Sequence, residues 1–502
     1  MNIKEAKEEI VRTIRAYLKK DELGAYEIPV ERQRPVLIMG PPGIGKTAIM
    51  RQIAEEMNIG LVSYTITHHT RQSAIGLPFI SQKEFGGREY SVTEYTMSEI
   101  VASVYDHIAK SGRKEGILFL DEINCVSETL VPTMLQFLQM KTFGTHKLPD
   151  GFVLVCAGNP PEYNRSVRDF DIVTLDRVKR LDVLEDLEAF TEYAAERRIH
   201  AAVTSYLSIH PDHFYSVKNE ADGRHFVTAR AWEDLAGALA VYEELGQPVT
   251  EGFVGAYLQD PEIAAGFLVY YELWNRYRNV YQVPEILAGT APARPEMKSA
   301  PFDEKVSLIA LLSDAVIEEL AASVREKAAA KSLFEDLKAL RTALQRKDGT
   351  SINALVFLRD TANEKERSLG AAHELGLISR ENETLARLEL KNLKEIISVL
   401  AKEGHGDAAR DFDLVRGWFA AREAERKARI ASTGERLANV FHFLNESFGE
   451  GQEMVMFLSQ LSKSKDAMRF ITENGSEAYF TYSRLLLLKD RREELKAEIM
   501  SL

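Results

Sequence analysis

The chain has 502 residues, too many for one hydrophobic core and enough for about three domains. Hydrophobic residues make up 45% and charged residues 28%, a balance that excludes wholesale disorder. The 76 acidic residues against 63 basic ones leave a net charge of −13 without any long Lys/Arg block, which argues against a dedicated nucleic-acid binder. Cys125 and Cys156 cannot build a disulfide framework, and no CxxC spacing exists for zinc. The N-terminal segment has no apolar signal core, and no run approaches the roughly eighteen apolar residues of a membrane span. A soluble, cytoplasmic protein of a reducing compartment is the expectation.

The opening segment places Ile3, Ile10, Val11, Ile14 and Leu18 on one helical face. A strand over Pro35–Met39 and a glycine-rich turn follow. To about residue 185, the apolar runs Leu61–Ile66, Ile117–Leu120, Phe152–Ala157 and Leu181–Leu184 alternate with helical stretches, which predicts an α/β core with a parallel sheet and crossover helices. Residues 79–95 alternate polar and apolar around Gly86-Gly87 and predict an inserted β-hairpin. From about 186 the pattern reads as helical throughout, with three or four short helices between Leu187 and Val241 broken near Pro211 and Gly223.

The Ala/Pro-rich stretch 289–301 reads as a linker. Beyond it Ile309, Leu312, Val316 and Leu320 share one helix face, and Leu333, Leu337, Leu340 and Leu344 another. Glycines near 349, 404–406, 449–451 and 475 punctuate further helices. The expected division is an α/β core over 1–185, a helical region over 186–288, and an all-α C-terminal domain over 302–502. Trp418-Phe419 reads as helical core, and residues 420–436 as solvated faces.

Residues Gly40-Pro41-Pro42-Gly43-Ile44-Gly45-Lys46-Thr47 complete a G-x-x-x-x-G-K-T motif between a strand and a helix that begins at Ala48. Its glycines let backbone N–H groups cradle phosphate oxygens, Lys46 reaches the β- and γ-phosphates, and Thr47 offers a hydroxyl to Mg²⁺. The apolar strand Ile117–Leu120 ends in Asp121-Glu122. A strand next to the phosphate loop would set Asp121 beside the metal and free Glu122 to act as general base. A second strand ends at Asn159, placed to hold the attacking water. The pair of carboxylates predicts turnover of ATP with Mg²⁺ rather than binding alone.

These residues, in this order, resemble an AAA+ ATPase, and most closely its MoxR branch, over roughly residues 30–245. The pieces that carry the likeness are GPPGIGKT at 40–47, LDEIN at 120–124, GNPPE at 158–162 and LDR at 175–177. The resemblance implies an AAA+ core with a helical lid. Gly40–Thr47 becomes its Walker A motif, Asp121-Glu122 its Walker B motif and Asn159 its sensor 1. It makes Arg177, with Arg180 as the alternative, an arginine finger reaching a neighbouring subunit, and Arg230 a sensor 2 at the start of a lid helix. It also implies a ring, by expectation a hexamer, that remodels a protein client; the acidic balance and the lack of a long apolar run set nucleic acid and membrane aside as partners. The resemblance also implies a partner with a von Willebrand A domain, and as no D-x-S-x-S motif occurs here, that domain is expected on a separate chain.

Two departures mark a divergent subgroup: Cys125 stands where the branch usually has Arg, and Ala74 where an acidic residue is common. His68-His69 reads as a polar contact loop rather than a metal site, and Cys125 as a packing thiol. Two other classes compete with the remodelling reading. A DNA-dependent motor or translocase would need a basic pore, which the charge disfavours. A scaffold that binds ATP without turnover would not need Lys46, Asp121, Glu122 and Arg177 together.

Overall fold

The structure is a computed structural model, and it describes all residues except 67–75, 127–129, 164–169, 221–222, 346–352, 375–377, 450 and 485–502. The His68-His69 pair and Ala74 lie outside the described residues. The chain packs as two units. The first comprises Met1–Ala189 with Thr228–Ala231, and the second comprises Phe190–Val227 with Trp232–Leu502.

The first unit begins with a reciprocal cap. Asn2 Oδ1 accepts from the Glu5 amide and the Glu5 carboxylate accepts from the Asn2 amide, each at 2.9 Å. The helix this starts, α1 (Ile3–Tyr17), buries Ala6, Ile10, Thr13 and Ile14. Five strands then form one parallel sheet: β1 (Val36–Met39), β2 (Gly60–Thr65), β5 (Gly116–Asp121), β8 (Phe152–Gly158) and β9 (Lys179–Asp182). Their order across the sheet is β2-β5-β8-β1-β9.

The central strands are apolar along their whole length because helices cover the sheet. β1 and β8 are buried at every position, and β5 at all but Asp121. Leu37, Leu118, Leu120 and Leu154 pack with Ile100, Val101 and Val104 of α3 (Glu99–Ser111), and with Phe137 of α4 (Val131–Met140). Helix α2 (Lys46–Met57) follows β1 and carries Ile49, Met50 and Ile53 into the core. This is the α/β P-loop core expected from the alternating pattern.

The hairpin expected near 79–95 is present as β3 (Pro78–Phe85) and β4 (Arg88–Tyr95), paired so that Phe85 faces Arg88. Only Gly86 and Gly87 remain in the loop, both at positive φ (60° and 78°), as a tight type I′ hairpin turn requires. A small hairpin, β6 (Thr142–Phe143) with β7 (His146–Lys147), follows α4, and a short α5 (Ile172–Leu175) precedes β9.

The segment read as short helices between Leu187 and Val241, which belongs to the second unit apart from Leu187–Ala189 and Thr228–Ala231, contains a β-hairpin as well. α6 (Leu187–Arg197) and α7 (Ala201–Ile209) are helical, but β10 (Ser216–Glu220) and β11 (Gly223–Val227) pair antiparallel before α8 (Ala229–Glu244). Val217 stands opposite Phe226, an apolar cross-strand pair of the kind that stabilises short ladders and that helical periodicity does not show. After α9 (Glu251–Tyr257) and α10 (Pro261–Tyr281), Tyr206, Trp232 and Phe267 form an aromatic cluster, with Tyr206 edge-on to Phe267 at 5.3 Å.

Residues 289–301 lie within this second unit, following α11 (Val283–Leu287). The Arg294 amide donates to Ser447 Oγ at 3.0 Å, and Met297 is buried. The two apolar stripes beyond belong to a single 43-residue helix, α12 (Phe302–Leu344). Its first half packs Ile309, Leu312, Val316 and Leu320 against α15 (Ala408–Phe448), α16 (Gln452–Lys463) and α17 (Lys465–Asn474). Its second half packs Leu333, Leu337 and Leu340 in a separate core with α13 (Ala354–Glu374) and α14 (Arg380–Glu403), which Trp418 and Phe419 flank. Ion pairs such as Arg426–Glu423 and Arg429–Glu326 line the charged stretch of α15. The result is the all-α C-terminal domain that the sequence predicts. Among the described residues, no helix is long and apolar enough to cross a membrane.

Candidate nucleotide site

The site lies where β1, β5 and β8 end. Gly40 leaves β1 with its amide donating to Gly158 O at 3.3 Å, and a Cβ on Gly40 would stand 2.5 Å from Val183 O. Gly43 and Gly45 occupy left-handed conformations, φ 75° and 95°, which L side chains adopt only with strain. Gly45 is the N-cap of α2, and no side chain caps that helix end. The first bond from this cap within the helix is the Ile49 amide to Gly45 O at 3.1 Å, so the amides of Lys46, Thr47 and Ala48 project from the helix end. Those N–H groups and the helix dipole together favour a bound phosphate.

Lys46 is only 8% exposed, and its ammonium is fully engaged. It donates to Gly40 O, Pro41 O and Asn159 Oδ1, each at 2.8 Å. Burial pushes its pKa down to about 8; Asp121 and Glu122 act against that shift, and Arg230 reinforces it. The amine therefore remains charged at neutral pH.

Thr47 Oγ1 donates to Asp121 Oδ2 at 2.8 Å. The route is not the one that strand adjacency suggests. β5 does not neighbour β1, because β8 lies between them. Instead α2, which starts at Lys46 beyond the end of β1, packs on β5, and Thr47 in its first turn meets Asp121 at the end of that strand. A hydroxyl and a carboxylate oxygen side by side suit Mg²⁺, which takes one or two protein oxygens, keeps waters and shares phosphate oxygens. Thr47 and Asp121 fit such an ion by the chemistry of their donors.

After Asp121 the chain turns sharply. Glu122 has φ 56°, left-handed for a residue with a Cβ, and its amide donates to Asp121 Oδ1 at 2.9 Å. The 3₁₀ turn Ile123–Cys125 follows, closed by the Cys125 amide on Glu122 O. Burial, and then the charges of Glu122 and Asp121, raise the pKa of Cys125 above the usual thiol value, so its thiol stays protonated and poorly nucleophilic. Cys156, fully buried in β8, is raised further by burial alone.

Asn159 stands at the end of β8 and brings its amide oxygen to Lys46. The residue that holds it is not among those the sequence motifs single out. Asn124, 5% exposed, donates from Nδ2 to Asn159 O at 2.7 Å and accepts from the Asn159 amide at 3.3 Å. The available signal was the amide that closes LDEIN, a polar residue that must fold back among buried neighbours immediately after an apolar strand.

The three arginines have different surroundings. Arg230 is exposed and held through its backbone, its amide donating to Gly43 O at 3.0 Å. Two residues before it, buried Thr228 lies so close to Gly43 that a Cβ there would stand 2.6 Å from Thr228 Oγ1. Arg230 thus joins the phosphate loop, Lys46, Thr47, Asp121, Glu122 and Asn159 in one unit. Arg180 is exposed and paired with Asp182 at 2.8 Å. Arg177 is exposed beyond α5, and among the described residues no carboxylate lies within ion-pair distance of it. Neither arginine makes a hydrogen bond to Lys46, Thr47, Asp121 or Asn159 among the described residues.

A glycine-rich loop between a central parallel strand and a helix, with lysine, hydroxyl and strand-end carboxylate converging on it, defines a P-loop nucleotide-binding domain. Residues 36–174 match the family described as ATPase family associated with various cellular activities (AAA). This stretch is an AAA domain, and ATP hydrolysis is that family's general activity. The match includes Lys46, Thr47, Asp121, Glu122, Asn124 and Asn159 and stops short of Arg177, Arg180 and Arg230. No curated protein matches the chain.

Proposed function

We propose that the protein is a Mg²⁺-dependent ATPase that assembles into a ring and uses its cycle to remodel a protein client, in the manner of the MoxR branch. The observation that carries the reading is the convergence on one loop of Lys46, bonded to Asn159, and Thr47, bonded to Asp121, both at 2.8 Å. Lys46 neutralises phosphate charge, and the amides at the head of α2 hold the phosphate oxygens. Thr47 and Asp121 would hold the metal, which would supply charge neutralisation when bound. Glu122 takes the proton from the attacking water, which Asn159 orients.

Arg177 is the residue offered to a neighbouring copy, because it is exposed and lacks a carboxylate partner among the described residues; Arg180 already pairs with Asp182. Across ATPases generally, an arginine finger raises turnover by about 10³–10⁵. A protein client is favoured by the hairpin β3–β4, which leaves Phe79, Ile80, Phe85, Tyr90 and Tyr95 exposed, and by a net charge of −13. The remodelling role also leaves a place for a separate von Willebrand A domain protein.

Mixed-ring complementation tests this. Glu122→Gln should bind ATP and hydrolyse almost none of it, and Arg177→Ala should also be inactive. Mixing the two should restore activity if Arg177 acts between subunits. Undiminished turnover in Glu122→Gln removes it as the base. No recovery in mixtures shown to co-assemble removes Arg177 as a finger acting in trans.

A further inference from the structure

The parallel register of β5 with β8 ends at Leu120↔Cys156. Beyond that point β8 continues for two residues, then reaches Asn159, while β5 turns away at Glu122. The Gly158 carbonyl faces β1, accepting from Gly40. Alternation along a strand then turns the amide and carbonyl of Asn159 towards the side that β5 has vacated. Both groups sit at the edge of a buried sheet and need partners. The Asn124 side chain supplies both, with Nδ2 on Asn159 O at 2.7 Å and Oδ1 on Asn159 N at 3.3 Å. An asparagine side chain is a primary amide, so it can substitute for the missing peptide group and extend the ladder by one rung.

The surroundings are shaped for this. The turn Ile123–Cys125 carries Asn124 back towards β8, with Glu122 in its left-handed conformation. Gly158 leaves the space that the amide occupies, since a Cβ there would stand 2.7 Å from Asn124 Oδ1. From the fixed backbone of Asn159, its side chain reaches Lys46 Nζ at 2.8 Å. One hydrogen-bonded chain thus runs from the turn after the Asp-Glu pair, through Asn159, to the phosphate-binding lysine.

We propose that Asn124 is a positioning residue for ATP hydrolysis: its side-chain amide sets the backbone of Asn159 and, through it, the angle at which the Asn159 amide meets Lys46 and the attacking water. This rests on the reading of Asn159 as the residue that orients that water. Asn124 touches neither nucleotide nor water itself. Because Lys46 also bonds Gly40 O and Pro41 O, nucleotide binding survives the loss of Asn124, whereas the geometry of the chemical step does not. Misplacement of a catalytic group by about 1 Å can cost on the order of a hundredfold in rate.

The test is a double-mutant cycle on the full chain, with steady-state ATPase assays and titration of a fluorescent ADP analogue. Asn124→Ala should lower kcat about tenfold or more and leave ADP affinity little changed. Asn124→Asp, of the same shape, keeps the acceptor for the Asn159 amide but sets a carboxylate oxygen against Asn159 O, and should lose kcat similarly. Asn159→Ala should lower kcat by itself, and the Asn124→Ala/Asn159→Ala double variant should be no slower than Asn159→Ala alone, because the two act as one element.

Three results overturn the proposal while leaving the ATPase reading intact: additive losses in the double variant, an unchanged kcat in Asn124→Ala, or loss of ADP binding in both Asn124 variants, which would make the residue structural. Full activity in Asn159→Ala removes the role of Asn159, and this proposal with it. Absence of turnover in the native protein would instead overturn the reading of the site itself.

Discussion

The buried lysine provides the sharpest quantitative test of the site. Lys46 has a pKa of about 8, against 10.5 for a free lysine, because it is 8% exposed and its burial outweighs the nearby carboxylates. Phosphate recognition needs the ammonium form, and the nucleotide's own phosphates, with a second ionisation near 6, change little above pH 7. Raising the pH from 7 to 9 should therefore weaken ADP binding about tenfold, most of it above pH 8.

Stability should move the other way. Between pH 8 and about 10.5 the unfolded chain holds a proton on this lysine that the folded protein has released, so unfolding becomes harder as pH rises. The full effect, from lowering this lysine from 10.5 to about 8, is about 3 kcal/mol. Lys141, also buried and also lowered to about 8, adds a similar slope, so the comparison must be made against Lys46→Met, in which the contribution of Lys141 is unchanged. Fluorescent-ADP titrations give the affinity, and urea denaturation at matched pH gives the stability difference. Affinity that is flat from pH 7 to 9, or that falls equally in Lys46→Arg, whose guanidinium does not titrate there, would refute the reasoning.

Gly43→Ala combines a left-handed φ of 75° with a Cβ 2.6 Å from Thr228 Oγ1, and should cost about 2–4 kcal/mol in urea denaturation and weaken ADP binding. A loss below about 1 kcal/mol would mean that Thr228 and the loop give way freely. Phe457→Ala removes a fully buried ring that meets Phe441 edge-on at 5.1 Å in the second unit, and should cost about 3–5 kcal/mol. ADP affinity should stay unchanged, as its core is separate from that of the nucleotide-binding unit; a parallel loss of both would show the two units to be coupled.

Much of the first unit was legible because its chemistry is local. Gly40–Thr47 has its spacing because backbone amides must turn inward, and Ile117–Leu120 and Phe152–Ala157 are apolar because helices cover a parallel sheet on both faces. Gly86-Gly87 announced a hairpin because its turn needs two residues at positive φ. The second unit was less legible. Val217 and Phe226 form a cross-strand pair that short-range periodicity does not reveal, and α12 is one helix whose two stripes serve two cores. Its hydrophobic face rotates along its length, and a pattern read in short windows divides it in two.

The phosphate loop, the carboxylates at a strand end and the alternation of strand with helix can be read along the chain, because each depends on residues close together in it. Which groups meet depends instead on the tertiary fold. It put β8 between β1 and β5, so that Thr47 reaches Asp121 from the first turn of α2, and it returned Thr228 and Arg230 to the phosphate loop from a distant part of the chain. It also gave Asn124 its partner, 35 residues away at the end of another strand. Strand order and the closing of a turn on a neighbouring strand depend on how whole elements pack, and no local pattern of residues encodes that contact.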